Sequence, residues 1–319
     1  MKNPFPVPIS DATPIFRVAS DVVGLQVVMV NVYFISQNHG GETVWYLVDA
    51  GLGECADRII KAAELTFVPG ATPTGILLTH GHFDHIGALN KLAHHWNVPV
   101  YAHPLEIPYL TGQSAYPPPD PTVGGGSLAA LAALYPKQPI TLDQPPLPYS
   151  ADGHIPGLED WRVIDTPGHT PGHVSFFRES DKTLVVGDAF ITVKQESLRA
   201  VLQQRSEVHG PPAYFTCDWS AAQQSVATLT ALQPEVAACG HGKPMRGVEL
   251  QSQLTYLNTH FSTVAIPSRG RYVGHPARAN ESGVISVPPA RIPSVMQGAL
   301  AGLALAGAAW LAYTRKQRK

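Results

Sequence analysis

Between positions 79 and 87 the chain reads Thr79-His80-Gly81-His82-Phe83-Asp84-His85-Ile86-Gly87, which puts four groups able to ligate a metal within six residues. In an extended loop alternate residues share a face, so His80, His82 and Asp84 converge on one side while His85 turns in at the start of a following helix. Neutral imidazole and carboxylate are ligand types that zinc, iron and manganese accept. Two nitrogens with a third from elsewhere leave one coordination position open, and an open site is a catalytic one. Three more ligand types follow, each beside glycines that permit close backbone approach. They are His169 in Asp165-Thr166-Pro167-Gly168-His169-Thr170-Pro171-Gly172-His173, Asp188 in Val186-Gly187-Asp188-Ala189, and His241 in Cys239-Gly240-His241-Gly242. An isolated histidine is ordinarily a packed or surface residue, which is the reading for His94, His95, His260 and His275.

These residues need strands to present them. Residues 25–35 and 43–50 are β-rich runs separated by His39-Gly40-Gly41, a strand, turn and strand. Helical spacing covers 57–65, a short apolar strand at 74–79 runs directly into His80, residues 87–96 read as a helix and 98–102 as another strand. That succession builds a layered α/β fold, in which ligands bind at strand ends. Strands return at 161–165, 174–177 and 184–186, immediately before His169 and Asp188 in the first and last cases. A helix over 220–232 precedes a strand at 236–239 that ends at His241, and 250–261 is again helical. Three strand ends thus carry one ligand type each. Between His103 and Asp160 the pattern dissolves into twelve prolines and Gly124-Gly125-Gly126, with one helix at 127–134, as expected of a lid or insertion over 104–160. His103, Glu106, Tyr109, Tyr116, His209 and Tyr214 lie in the irregular segments that should border a pocket.

The 319 residues carry 22 basic and 24 acidic side chains, a net charge of −2, with 44% hydrophobic and 14% charged residues. Such a chain is globular, and without a basic track it has no nucleic-acid partner. Cys55, Cys217 and Cys239 are far apart, with no Cys-x-x-Cys, which argues against disulfides or a thiolate cage and for a reducing compartment. Pro4, Pro6, Pro8 and Asp11 interrupt any secretory apolar run, so the body is expected to be cytoplasmic. A body over 1–265 is followed by a Pro/Gly/Ser-rich linker over 266–293 and a candidate transmembrane or membrane-associated helix over 294–314. Residues 295–313 hold no charge and as a helix would span about 28 Å, close to the ~30 Å of a bilayer's hydrocarbon core. Arg315, Lys316, Arg318 and Lys319 follow, as at an interfacial anchor.

Over residues 15–265 this pattern resembles the metallo-β-lactamase-like hydrolases, in particular the glyoxalase-II-like and lactonase-like branch with two metals. The resemblance implies a four-layer αββα sandwich. It implies that His80, His82 and His169 hold one metal and Asp84, His85 and His241 the other, with Asp188 bridging. Asp49 in Asp49-Ala50-Gly51 would support the metal loops, and His173 would support His169 by a hydrogen bond. The metals would be two divalent ions, zinc first, with iron and manganese as alternatives.

Two such ions, Asp84, Asp188 and a bridging hydroxide sum to a formal charge of +1, which favours anionic or electron-rich small-molecule substrates. The hydroxide would attack a carbonyl, with Asp84 taking up and returning the proton. The expected activity is hydrolysis of an ester-like bond in a lactone, thioester or ester. An iron-dependent persulfide dioxygenase is the rival from another class, using the counterparts of His80, His169 and Asp188. The sequence after Asp188, Ala189-Phe190-Ile191-Thr192-Val193-Lys194-Gln195, lacks that family's arginine-rich segment. A third reading is a membrane-tethered protein that binds metal without catalysis.

Overall fold

The computed structural model describes residues 15–290; the candidate tail helix over 294–314 and the prolines at 4, 6 and 8 lie outside the described residues. Strands β1 (Ile15–Ala19), β2 (Val22–Val27), β3 (Val30–His39), β4 (Glu42–Val48), β5 (Gly75–Leu77), β6 (Val100–Ala102) and β7 (Leu147–Pro148) form one sheet in chain order. The sheet is antiparallel through β4 and parallel from there on. Strands β8 (Trp161–Asp165), β9 (Val174–Arg178), β10 (Thr183–Gly187), β11 (Val236–Cys239) and β12 (Met245–Arg246) form a second sheet, in the order β12-β11-β10-β9-β8. The helices are α1 (Ala56–Thr66), α2 (Phe83–Ile86), α3 (Leu89–Trp96), α4 (Ile107–Leu110), α5 (Ser127–Ala130), α6 (Leu198–Gln203), α7 (Trp219–Ala231) and α8 (Gly247–Val264).

Strand periodicity explains why both sheets are buried on both faces. In β3 and β4, Val32, Phe34, Trp45 and Leu47 pack with Ile59 of α1 and Leu89 and Leu92 of α3, while Tyr33, Ile35, Tyr46 and Val48 point the other way. The latter meet Val174, Phe176, Val185 and Ala238 of the second sheet. The second sheet's opposite face, with Phe177, Leu184, Val186 and Ala237, packs on Val226 and Leu229 of α7 and Leu250, Leu254 and Leu257 of α8. Alternation of period two thus feeds three apolar layers, giving the αββα sandwich. Each fully buried aliphatic side chain contributes about 1.5–3 kcal/mol, so the strand ends are held on a stiff frame.

Direction then decides where the ligand loops fall. Strands β8 and β10 are both antiparallel to β9, and β11 is parallel to β10, so the C-terminal ends of β8, β10 and β11 share one edge of their sheet. His169, Asp188 and His241 follow those three ends. The loop after β5 reaches the same edge, because the Val174 amide donates to the Thr79 carbonyl at 2.9 Å.

Two segments differ from expectation. The run at 25–35 is two paired strands, with Val28 in the left-handed region (φ 63°) at the turn between β2 and β3. Apart from Gln26 and Asn31 the run is apolar, with no glycine or proline to mark that turn. Residues 266–288, expected as linker, belong to the same compact unit as the sandwich. They include strands β13 (Arg278–Asn280) and β14 (Gly283–Ser286), and the Tyr272 hydroxyl and Ala277 amide donate to the carbonyls of Pro118 (2.6 Å) and Cys217 (3.0 Å). The helix expected over 127–134 is α5 followed by a 3-10 turn at Ala132–Leu134. Among the described residues no helix is long and apolar enough to cross a membrane.

Candidate metal centre

Past Leu78, whose amide donates to the Tyr101 carbonyl at 2.9 Å, the loop to His82 leaves the sheet, so other groups must satisfy its amides. The Thr79 amide and hydroxyl donate to the two carboxylate oxygens of Asp49, each at 2.8 Å. The Gly81 amide donates to Glu106 Oε2 (3.1 Å) and to the Tyr116 hydroxyl oxygen (2.8 Å). His82 then enters α2 from extended backbone (φ −67°, ψ 153°), which turns Asp84 and His85 inward on the first helical turn.

All seven ligand types meet. His80, His82 and His169 present ligand atoms within 4.8 Å of one another, as do Asp84, His85 and His241, and as do His80, His85 and Asp188. Asp188 Oδ2 lies 3.5 Å from His169 Nε2, 3.6 Å from His85 Nε2 and 3.2 Å from His241 Nε2, so one oxygen faces ligands of both outer triplets. His82 Nδ1 and His169 Nε2 are 3.0 Å apart, and Asp84 Oδ2 is 3.5 Å from His241 Nε2. All seven are buried.

The far ring nitrogens are tied down, which aims the near ones. His85 Nδ1–H donates to Asp49 Oδ2 at 2.8 Å, and His241 Nδ1–H donates to the Met29 carbonyl at 2.7 Å. The Thr79 hydroxyl hydrogen is committed to Asp49, so His80 Nδ1–H donates to the Thr79 oxygen at 3.0 Å. This leaves the Nε2 atoms of His80 and His85 and Asp188 Oδ1 buried without a hydrogen-bond partner. Three orphaned polar atoms converging on one buried spot are costly unless a cation fills it, so these residues fit the metals that the resemblance implies.

Electrostatics agree with that fit. Burial and the neighbouring imidazoles hold His80 and His82 well below the ordinary histidine value, and burial brings His169 down to about 3, so all three offer lone pairs. Burial also opposes charge on His85 and His241, but Asp188, with Asp49 and Asp84 beside His85 and Asp84 beside His241, overrides it and raises both. Asp188 resists burial in turn and stays well below the carboxylate range because His241 and His85 face it. Where imidazolium protons balance a buried carboxylate, divalent cations can displace those protons.

Other expected residues divide sharply. Asp49 supports the loops as anticipated. His173 stands edge-to-face with His169, ring centres 6.1 Å apart, and makes no hydrogen bond to it; its Nε2 accepts the Asp188 amide at 2.8 Å, so it fixes the turn that aims the carboxylate. Glu106 and Tyr116 lie beneath the ligand loops: besides Gly81, Glu106 accepts from the Tyr116 hydroxyl, the Thr170 hydroxyl and the Gly172 amide, the last two at 2.8 Å each. Tyr109 stacks on Tyr116 at 3.8 Å. His103 Nδ1 accepts the Leu105 amide, and His209 lines a separate cleft of about 800 Å³ with Lys194, Arg205 and Glu249. Tyr214 is buried against the site, its hydroxyl pKa raised by burial and then by Asp84.

Sequence reasoning missed the aromatic wall and the long ties. Phe215 stacks on His82 at 4.3 Å, and Phe83 and Tyr135 pack beside it. Their adjacency to Tyr214 and His82 was the available signal. Asn31 Nδ2 donates to the carbonyls of Cys239 (2.9 Å) and Gly242 (2.7 Å), bracing the His241 loop from more than 200 residues away, and nothing local announces it.

Gly240 shows how little room remains. A Cβ there would stand 2.2 Å from Asp188 Oδ1 and 2.8 Å from His85 Cε1. Gly240→Ala is therefore expected to push Asp188 off its position and lower metal content per chain, while the far-ultraviolet dichroism of the sandwich persists. Unchanged metal content would show that Asp188 is not a ligand.

Known proteins resemble the chain over the region that holds these segments. Residues 25–241 match the family model described as the metallo-beta-lactamase superfamily. The chain is 45% identical over 252 residues to the probable metallo-hydrolase YflN of Bacillus subtilis (strain 168), covering 78% of this chain and 94% of that protein. Another probable metallo-hydrolase of that organism, YybB, is 31% identical over 198 residues, 62% of this chain and 76% of its own. Among solved structures, the BLEG-1 B3 metallo-beta-lactamase superposes with TM-score 0.50 at 25% identity, covering 74% of this chain and 99% of its own. On a match of this extent, spanning every segment where the fold gathers metal-ligand types, the chain belongs to the metallo-β-lactamase superfamily.

Proposed function

We propose that the protein is a dinuclear metal hydrolase that cleaves an ester-like bond, in a lactone, thioester or ester, of a small molecule. The observation that carries this reading is the placement of Asp188 Oδ2 between His169 on one side and His85 and His241 on the other, the position of a carboxylate shared by two cations. His80, His82 and His169 would hold one ion, Asp84, His85 and His241 the other, with zinc the first candidate for this nitrogen and oxygen set. When bound, such ions lower the pKa of a water toward ~7 and stabilise charge developing on a carbonyl oxygen.

The chain's own groups supply the rest. Asp84 is the most exposed of the seven, which suits it to take a proton from water and return it to the leaving group. Tyr116 is committed to Glu106 and Tyr135 donates to the Leu128 carbonyl, whereas the Tyr214 hydroxyl has no hydrogen-bond partner among the described residues. The Tyr109 hydroxyl also lacks a partner but is fully buried behind Tyr116, so Tyr214, which faces Asp84, is the tyrosine placed to donate to a substrate oxygen. Phe83, Tyr135 and Phe215 form an apolar wall that limits water and accepts a substrate's hydrocarbon part.

The test is metal analysis of the purified full chain followed by a panel of lactones, thioesters, aryl esters, nitrocefin and a phosphodiester. The reading expects two divalent ions per chain and preferred turnover of one ester-like class, lost on chelation and regained with zinc. Preference for nitrocefin or the phosphodiester would overturn the ester assignment. A single iron with oxygen uptake would replace hydrolysis by the dioxygenase chemistry.

A further inference from the structure

One face of the molecule is more apolar than a surface in water should be. In the insertion, Leu128, Leu131 and Leu134 recur at every third residue across α5 and the 3-10 turn; Leu128 is buried, Leu131 is exposed and Leu134 is 79% exposed. On α6, Leu198, Val201 and Leu202 repeat the pattern, with Val201 buried and Leu202 75% exposed. Leu128, Val193 and Val201 form one cluster with Met29 and Ala200 packed on it. Two short helices and the β2–β3 turn thus meet at one buried cluster, and Leu131, Leu198, Leu202 and Val28, neighbours of its members in sequence, are exposed. It adjoins the metal centre, since the Met29 carbonyl accepts from His241 and Ala129 and Ala132 pack against Phe215, which stacks on His82.

Charge and composition favour one kind of occupant. Across residues 127–137 and 194–207, Lys137, Lys194, Arg199 and Arg205 outnumber Glu196 and Glu207 in a chain whose net charge is −2; Lys194 and Arg205 line the cleft beside His209, where Arg205 lies 3.9 Å from Glu207, and Lys137 and Arg199 lie in the leucine-bearing segments themselves. Glu196 is further engaged, accepting the Ala213 amide at 2.8 Å. Short helices that expose leucine beside lysine and arginine have the composition of segments lying at an anionic lipid interface. A protein-binding hot spot would instead expose tryptophan or tyrosine anchors. The sequence supplies an independent sign of a lipid-phase element, the uncharged stretch 295–313 followed by Arg315, Lys316, Arg318 and Lys319.

We propose that the face formed by α5, α6 and the β2–β3 turn docks on an anionic lipid bilayer, with Leu134 and Leu202 entering the interface. Docking does not rest on the hydrolase reading; its consequence, that a substrate's acyl part can pass from lipid to the aromatic wall, does.

Because Cys55, Cys217 and Cys239 are all buried, a single surface cysteine can be labelled selectively. An environment-sensitive dye is placed on Leu134→Cys, on Leu202→Cys and, as control, on Val248→Cys, an exposed apolar position at the start of α8. The full chain is mixed with phosphatidylglycerol/phosphatidylethanolamine vesicles with and without brominated lipid. The proposal expects a blue shift and bromolipid quenching at 134 and 202, weakened by salt, and neither at 248. It is overturned if the vesicles leave 134 and 202 unchanged, even when the chain co-sediments with them, or if 248 responds equally. The readout needs no turnover, so it succeeds or fails separately from the hydrolysis assay.

Discussion

Replacing Asp188 by alanine is expected to abolish measurable turnover and to reduce bound metal, while the protein stays folded. Among the described residues the carboxylate is the only one whose oxygen lies within 3.6 Å of His85, His169 and His241 together. Its removal takes a shared ligand from both ion positions and leaves only Asp49 beside His85 and Asp84 beside His241 as counter-charges. Stabilisation by metal ions is worth several kcal/mol at the transition state, and each 1.36 kcal/mol is tenfold in rate, so kcat should fall by at least about 10³. Loss of an outer hydrogen-bond partner costs about 10–100-fold, which is the smaller effect to expect of Asp49→Ala. Asp188 is the main group that keeps His85 and His241 raised against burial, so without it these imidazoles can shed their protons and the fold should tolerate the alanine. Melting temperature of the metal-free protein separates the two outcomes: little change there with metal and activity gone supports a ligand role, and unchanged kcat refutes it.

Glu106 to alanine should have the opposite signature, a large loss of stability with the ligand set intact. The side chain is 1% exposed and accepts four donors, Gly81 N–H and Tyr116 O–H at one oxygen and Thr170 O–H and Gly172 N–H at the other. It therefore staples the loop bearing His80 and His82 to the loop bearing His169. Burial raises its pKa while those four bonds hold it down in part. A buried donor left unmade costs about 1–3 kcal/mol, and water entering the vacated space restores some of the four, giving a net loss of roughly 3–5 kcal/mol. In a chain of this size that is on the order of 10 °C in melting temperature. Glu106→Gln keeps one oxygen for Thr170 and Gly172 and can donate to the Tyr116 oxygen, so it should lose less than half as much. Equal melting temperatures for Glu106→Ala and the parent chain would show that the loops do not depend on this staple.

Legibility followed locality. His80, His82, Asp84, His85, His169, Asp188 and His241 stand directly after apolar strand runs, and strand direction alone brings such ends to one edge, so spacing sufficed to nominate them. The four-layer sandwich was readable from the family resemblance. The supporting groups were hidden by sequence separation. Asn31 and Met29 meet the His241 loop across more than 200 residues, and Glu106 and Tyr116 come from a proline-rich insertion whose irregular backbone carries no periodic signal. The turn at Val28 was concealed because both flanking strands are buried on both faces, yet it is what puts the Met29 carbonyl under His241. Leu131 and Leu134 fall in the helix expected over 127–134, and nothing in the sequence singled out Leu198 and Leu202; only exposure marks all four as a surface feature.

Diffraction from crystals of metal-loaded, turnover-competent protein, collected on both sides of the metal's absorption edge, addresses the ligand assignment with the least inference. Two anomalous peaks should appear, one about 2.0–2.2 Å from nitrogens of His80, His82 and His169, the other at like distance from Asp84, His85 and His241, with Asp188 contacting both. Peaks away from these seven side chains, or none in active crystals, would contradict the account.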